Sequence, residues 1–188
     1  YDDHLIYYQM ADIYLSEKDT TSALKFVEQG RSKYPTEKDL INQELNIYMS
    51  MNRLDVLIEK LNAAVENNPD DYQLVFVRGS VYDQMSNELS KKARHSRDTI
   101  ATLKKKALTE KDAAKKAKYS AAAASFQKEM DDNNAKAKSN AASAEADYKK
   151  VTELNPDHID AYYNLGALTN NKTTEIVEKM NNIPNNLS

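Results

Sequence analysis

The sequence predicts an all-α protein built from successive helix pairs, and three observations support this. The 188 residues include 22 Ala and 12 Tyr but only three Gly and four Pro, a composition that favours thin helical layers and has too few turn residues for a β-sandwich. The interval from Pro35 to Pro69 is about 34 residues, the length of a helix-turn-helix unit. The stretch from Ser80 to Asn155 contains no Gly or Pro, so helix is its default conformation.

Each predicted helix follows from an apolar stripe with spacings of three and four residues. The prolines end one helix and precede the next. The four stripes before Pro69 are formed by Tyr7, Met10, Ala11 and Tyr14; Ala23, Val27 and Gly30; Ile41, Glu44, Leu45 and Tyr48; and Leu57, Leu61 and Ala64. The predicted helices span about 3–16, 20–33, 37–50, 54–67, 71 onward, a segment ending at 154, and 157–182.

These stripes resemble the tetratricopeptide repeat (TPR). The pattern of that family has Trp, Leu, Gly and Tyr on a first helix, then Ala, Phe and Ala on a second, then Pro. The best match lies between Asn155 and Leu168, where Tyr162, Leu165 and Gly166 occupy the Trp, Leu and Gly positions. The resemblance implies an α-α superhelix of stacked units, each burying an apolar stripe against its neighbour.

Several positions depart from the family pattern. Glu44 and Arg78 occupy Leu positions, and Thr169 stands where Tyr is expected. Small residues are expected where the two helices of a unit approach closely, because a larger side chain would separate the backbones. These residues are Ala11, Gly79 and Gly166.

We interpret residues 1–188 as one array whose third unit is interrupted. Its first helix begins normally with Val75 and Gly79, but the second, with Ala144 and Tyr148, arrives far later than the repeat length allows. A single straight helix could not return to pack on itself, so we predict an inserted helical hairpin. The predicted boundaries are repeat 1 at about 4–36, repeat 2 at about 37–70, repeat 3 at about 71–85 plus 139–156, the hairpin at about 86–138 and a partial repeat 4 at about 157–188.

The hairpin is predicted to fold back near residue 113, with Thr109–Asp112 as a capping box. Its arms would extend about 25 residues, roughly 35 to 40 Å, beyond the repeats. Asp131–Asn134 is an alternative break, which would give three short helices instead of two long ones. The residues expected in the seam are Leu89, Ile100, Leu103 and Leu108 on one arm and Tyr119, Phe126 and Met130 on the other.

Charge is unevenly distributed along the chain, whose net charge is −3. Residues 1–83 carry 8 basic and 15 acidic groups, whereas residues 84–118, here named the basic arm, carry 11 basic and 4 acidic groups. The arm either contacts nucleic acid or an anionic surface, mediates self-association through the seam, or is simply a solvated face. Its basic residues are Lys91, Lys92, Arg94, Arg97, Lys104, Lys105, Lys106, Lys111, Lys115, Lys116 and Lys118.

The residue types needed for catalysis or metal binding do not converge in this sequence. There is no Cys, which excludes a disulfide, a zinc knuckle and a thiol nucleophile. His4, His95 and His158 fall on different predicted elements, and His158 is expected to face solvent. We therefore expect no enzyme activity, no cofactor and no metal site.

No apolar run approaches the roughly 18 residues of a membrane span, and no signal peptide is present. The chain starts at Tyr1 rather than Met, so any targeting segment is expected to have been removed. We expect a soluble protein, and the sequence does not identify its compartment.

The resemblance implies that the first helix of each unit lines a concave face that binds a peptide or a partner helix. Asn side chains there can grip a peptide backbone, and Tyr8, Phe76 and Tyr163 can act as flat anchors. The alternative is that these are ordinary solvated or packing residues. The residues expected on this face are Leu5, Tyr8, Asp12, Asn42, Asn46, Met49, Phe76, Ser80, Asp83, Tyr163 and Asn170.

The charge of this face predicts a neutral or basic protein partner. Asp12, Asp39, Asp83 and Asp160 lie on or near it. The Lys and Asn residues with which some members of the family clamp acidic tails are absent, since Tyr8 and Asp12 occupy their first positions. We therefore expect a protein-binding scaffold or adaptor.

Overall fold

The fold is all-α, as predicted. The computed structural model describes residues 3–35 and 37–181, with side chains described up to residue 170. The predicted helix bounds differ from the observed ones by at most two residues, and residues 182–188 of the predicted fourth repeat lie outside the described part. The helices are α1 (His4–Ser16), α2 (Thr20–Lys33), α3 (Lys38–Ser50), α4 (Leu54–Asn67), α5 (Tyr72–Thr109), α6 (Ala113–Leu154) and α7 (Ile159–Asn181).

The helix bounds recur with a fixed period. Helices α1, α3 and α5 begin at His4, Lys38 and Tyr72, and α2 and α4 begin at Thr20 and Leu54. Each of these steps is about 34 residues, the length of one helix-turn-helix repeat.

The late helices keep this period after a single displacement. Helix α7 begins at Ile159, and its distance in sequence from the start of α5 exceeds one repeat length. The end of α6 at Leu154 is displaced from the end of α4 at Asn67 by the same amount. The late helices are therefore displaced from the early ones by one common interval.

The turn inside each of the first two helix pairs has the same backbone geometry. Lys18 and Asn52, which occupy equivalent positions of the repeat, have φ values of 62° and 52°. The next amides, of Asp19 and Arg53, donate to carbonyls five residues earlier at 2.9 and 3.0 Å. This is the Schellman arrangement, which usually has Gly at the left-handed position.

The chain divides into two compact units, Tyr1–Leu74 (unit 1) and Val75–Ser188 (unit 2). Unit 1 contains a core in which Ala11, Ala23, Val27 and Ile47 are buried. At Gly30 of α2 a Cβ atom would lie 2.8 Å from Cβ of Tyr7 and 2.9 Å from Cδ1 of Leu40. Glycine there allows α2 to approach α1 and α3 closely.

Unit 2 is built on α5 and α6, which pair in antiparallel fashion and are joined by residues 110–112. The Ser86 hydroxyl of α5 donates to the carbonyl of Ala137 on α6 at 2.9 Å. At the open end of the pair, a Cβ atom on Gly79 would lie 3.1 Å from the ring of Tyr148. Helix α7 packs against this end through a cluster of Ala144, Tyr148 and Leu168.

The predicted capping box at the fold-back is wrong. Thr109 belongs to the last turn of α5, and its hydroxyl donates to carbonyls of that helix. Asp112 caps α6 instead, because its carboxylate accepts from the amides of Ala114 and Lys115 at 2.8 and 3.0 Å. A carboxylate at this position satisfies two free amides by itself.

The hairpin seam also differs from its prediction at one residue. Leu108 is 81% exposed, whereas Ala107, two turns after Ile100, is buried. The register of the seam therefore selects Ala107 and rotates Leu108 away from α6. The alternative break at Asp131–Asn134 does not occur, since α6 is continuous through these residues and both aspartates are exposed.

Candidate partner-binding faces

In unit 1, the predicted binding residues lie on α1 and α3. The Gln43 amide of α3 donates to the Tyr8 carbonyl at 3.1 Å and to the Asp12 carboxylate at 2.7 Å. These bonds hold the side of α1 that bears Tyr8 and Asp12 against α3. Asn42 and Asn46, which are the repeat equivalents of these two residues, are exposed on α3.

Two apolar side chains border this face. Leu5 is 42% exposed and Met49 is 41% exposed, while Tyr8 is half-buried and Asp12 is exposed. The structure therefore brings the six predicted residues of unit 1 onto two neighbouring helices. We name this set, Leu5, Tyr8, Asp12, Asn42, Asn46 and Met49, the α1–α3 face.

Asn42 also lines a small cavity beside the α1–α3 face. Its volume of about 20 Å³ leaves room for a single water molecule. Lys38 Nζ lies 2.7 Å from Asp71 Oδ2 at its edge. Burial raises the pKa of Asp71, but hydrogen bonds from Lys38 and from backbone amides outweigh this and hold the pKa below its ordinary value.

A larger depression lies on another side of unit 1 and was missed by sequence reasoning. It encloses about 350 Å³ between Glu28, Arg31, Ser32, Glu44 and Lys60. The buried Glu44 carboxylate accepts from Arg31 Nε at 3.2 Å and from Lys60 Nζ at 2.8 Å. The hydrogen bond to Glu44 raises the pKa of Lys60. The one sequence clue was the charged residue Glu44 at a Leu position of the repeat.

In unit 2, Phe76 and Ser80 of α5 contribute to packing. The ring of Phe76 is half-buried and lies 5.7 Å from the Tyr148 ring and 4.4 Å from the His158 ring, between centroids. The Ser80 hydroxyl donates to the Phe76 carbonyl at 3.0 Å. These contacts agree with the alternative interpretation of both residues as packing residues.

Asp83 is also half-buried in unit 2. Its carboxylate accepts from Asn87 Nδ2 at 3.2 Å. Burial raises the pKa of Asp83 above its ordinary value, although the bond from Asn87 lowers it. The repeat equivalent of Asp83 in unit 1 is the exposed Met49.

Helix α7 carries the last two predicted residues, Tyr163 and Asn170, and both are exposed. Tyr163 is 76% exposed, and Ile159 on the same side of the helix is 79% exposed. The predicted close approach at Gly166 is wrong, because a Cβ atom there would meet nothing within 4 Å. Among the described residues, no helix packs on α7 at Gly166. The equivalent glycine of α5, Gly79, is covered by α6.

The solvent-facing prediction for His158 is also wrong. The side chain is half-buried, its ring packs on Phe76, and its Nδ1 accepts from the Ala161 amide at 3.3 Å. His158 thus caps α7 and joins it to α5. Among the side chains described, those of residues 3–35 and 37–170, no three or more His, Cys, Asp or Glu groups converge in a way that would hold a metal ion.

Within the described ranges, every helix is too short or too polar to cross a lipid bilayer.

Comparison with known proteins gives matches among solved structures. No protein-family model and no curated protein matches the chain. A tetratricopeptide repeat protein from Parabacteroides merdae is 14% identical, with a TM-score of 0.42 over 88% of this chain, which spans 57% of that protein. The structure described as the MamA RS-1 ArsTM double mutant is 11% identical, with a TM-score of 0.43 over 92% of this chain and 86% of the other. Both TM-scores are low, so the repeat interpretation rests on the helices of this chain.

Proposed function

We propose that this chain is a tetratricopeptide-type scaffold without catalytic activity, which binds a peptide or a partner helix on the α1–α3 face. The observation that carries the proposal is the pairing of exposed apolar and amide side chains on two helices fixed side by side. Leu5 and Met49 offer apolar contact. Asn42 and Asn46 each offer a donor and an acceptor to a peptide backbone.

The rigidity of this face supports the proposal. Gln43 ties α1 to α3 through both Tyr8 and Asp12, and Gly30 brings α2 against both helices. A surface that is already ordered loses little conformational entropy when a partner binds. The exposed carboxylates of Asp12 and Asp39 favour a neutral or basic partner.

The repeat boundaries belong to the same proposal. We infer repeats at about 4–36, 37–70 and 71–85 plus 139–156, with residues 86–138 inserted as a hairpin and a partial repeat from 157. The recurrence of helix starts at one repeat length supports this division. In unit 2 we assign partner contact to Tyr163 and Asn170, which are exposed, while Phe76, Ser80 and Asp83 have packing roles.

The test begins with the whole chain, immobilised and screened against a random peptide library. The affinity of the best peptide is then measured by fluorescence anisotropy for the parent and for two single variants, Asn46→Ala and Met49→Ala. We expect each variant to weaken binding by roughly tenfold, since each removes a side chain that contacts the partner. The peptides selected should be neutral or basic.

A matched control is Gln29→Ala, which alters an exposed residue of α2 and should leave the affinity unchanged. The opposite result would contradict the proposal. If Gln29→Ala lost binding while Asn46→Ala and Met49→Ala bound fully, the site would lie elsewhere. Circular dichroism of each variant excludes unfolding as the cause.

A further inference from the structure

The basic arm, residues 84–118, is exposed in the structure along its whole charged length. Each of its 11 Lys and Arg side chains is exposed. In the described part of the chain, Arg97 is the one residue among them that pairs with a carboxylate, that of Asp98 at 3.7 Å. Most of the positive charge of the arm is therefore not neutralised by ion pairs within the described residues.

The charge is densest at the fold-back between α5 and α6. Seven lysines lie between residues 104 and 118, against the two carboxylates Glu110 and Asp112. These residues occupy the last turns of α5, the joining residues 110–112 and the first turns of α6. Helix α7 packs at the opposite end of the pair, against Ala144 and Tyr148, and the seven lysines near the fold-back are exposed.

An apolar side chain stands within this cluster of lysines. Leu108 is 81% exposed, which is the largest exposed fraction among the large apolar residues in the described ranges. It lies between Lys106 and Lys111 and makes no contribution to the seam, where Ala107 is buried instead. An exposed leucine flanked in the sequence by lysines matches the two contacts by which peripheral segments bind anionic bilayers, an inserted apolar group and basic side chains.

The chemistry of the arm favours a bilayer over nucleic acid. Nine of its 11 basic residues are Lys, whereas Arg is the residue suited to forked phosphate and base contacts. The nearest aromatic, Tyr119, is half-buried and so is poorly placed to stack on a base. Lysine stems can instead lie along an apolar surface while the ammonium groups reach the headgroups.

We propose that the fold-back of the basic arm docks on an anionic lipid bilayer, with the lysines of residues 104–118 against the headgroups and Leu108 inserted between acyl chains. This contact is separate from the α1–α3 face. It requires no helix to cross the bilayer.

The experiment is co-sedimentation of the full chain with two kinds of vesicle, phosphatidylcholine alone and phosphatidylcholine mixed with phosphatidylserine. We expect binding to the mixed vesicles only, decreasing as salt is added. Replacing three lysines together (Lys104→Gln, Lys105→Gln, Lys106→Gln) should lower the partition coefficient on the order of a hundredfold. The matched control replaces Lys128, Lys136 and Lys138 with Gln; these are exposed on α6 outside the arm, and their loss should change binding little.

Insertion of the apolar residue is tested separately with Leu108→Trp. The chain contains no Trp, so the tryptophan emission of this variant, excited selectively over its tyrosines, reports on the fold-back alone. Its emission should shift to the blue with mixed vesicles and stay unchanged with phosphatidylcholine vesicles.

Three results would overturn the proposal. The first is equal loss of vesicle binding in the two triple variants, which would make the effect one of net charge alone. The second is vesicle binding without a blue shift in Leu108→Trp. The third is absence of vesicle binding, whether the chain binds duplex DNA or RNA instead or forms a dimer that buries Leu108.

Discussion

Units 1 and 2 hold a charged pair at the same position of the repeat, with the charges reversed. In unit 1, the carboxylate is Glu44 on α3 and the cation is Lys60 on α4, 2.8 Å apart. In unit 2, the cation is Arg78 on α5, which donates to the carboxylate of Asp147 on α6 at 2.8 and 2.6 Å. Arg78 follows Glu44 by one repeat length, and Asp147 follows Lys60 by the interval that separates the end of α6 from the end of α4, so the two pairs hold corresponding positions.

This position of the repeat therefore requires two side chains that complement each other, rather than a particular residue type. In the first repeat it holds Met10 and Phe26, two apolar residues. A departure from the Leu of the family pattern is therefore matched by a change on the facing helix, because a buried charge without a partner is costly. The two pairs differ in the contacts of the carboxylate. Glu44 is also contacted by Arg31, whereas Asp147 accepts hydrogen bonds from two nitrogens of Arg78.

The largest expected effect comes from removing one carboxylate. Asp147→Ala deprives Arg78, whose side chain is only 23% exposed, of its counter-charge, and should lower the free energy of unfolding by about 3 kcal/mol. Glu44→Ala should cost less, because the Lys60 side chain left behind is 42% exposed and can be hydrated, and the Arg31 guanidinium keeps its hydrogen bond to the Pro35 carbonyl. Urea unfolding followed by circular dichroism measures both, and a larger loss in Glu44→Ala would contradict the comparison.

Exchanging the charges within each pair tests whether the two arrangements are interchangeable. Arg78→Glu with Asp147→Lys gives unit 2 the arrangement of unit 1, and the double variant should recover about 1 to 3 kcal/mol relative to the sum of the two single variants. The reciprocal exchange, Glu44→Arg with Lys60→Asp, should recover less, because Arg31 would then face a second guanidinium group. A double-mutant cycle at constant salt tests this, and equal coupling energies in the two units would refute it.

Two glycines test how closely the helices of each unit approach. Gly30→Ala places a Cβ atom 2.8 Å from that of Tyr7 and should destabilise the protein by about 1 to 2 kcal/mol through overpacking. Gly166→Ala meets nothing within 4 Å and should stabilise α7 by up to about 1 kcal/mol through helix propensity. Thermal or urea unfolding distinguishes the opposite signs, and destabilisation by Gly166→Ala would show that α7 is covered.

The smallest expected effect concerns Asp83, the equivalent of Met49. Burial raises the pKa of Asp83 in the folded chain. Between the ordinary and the raised pKa, the folded state therefore binds more protons than the unfolded state. The free energy of unfolding falls as the pH rises through that interval. Asp83→Asn removes this dependence. It should stabilise the protein at neutral pH and have no effect below the ordinary pKa, as measured by urea unfolding at several pH values; a gain independent of pH would contradict this origin.

The helices and their period follow from local features of the sequence. Stripes spaced three and four residues apart, the prolines at 35 and 69 and the long stretch without Gly or Pro act through neighbours within one or two helical turns. For this reason the helix bounds were predictable to within two residues, including the return of the chain between α5 and α6. The residues of the α1–α3 face were expected from the resemblance to the tetratricopeptide repeat, not from this spacing.

Which side chains meet across helices depends on the packing of segments that are distant in the sequence. Arg78 and Asp147 are 69 residues apart, and nothing local to either residue specifies the other. The same holds for Phe76, which packs on His158 rather than facing solvent, and for the seam, where Ala107 is buried in place of Leu108. Burial depends on the surface that a distant segment brings to a helix, whereas the spacing of apolar residues that indicates a helix lies within the helix itself.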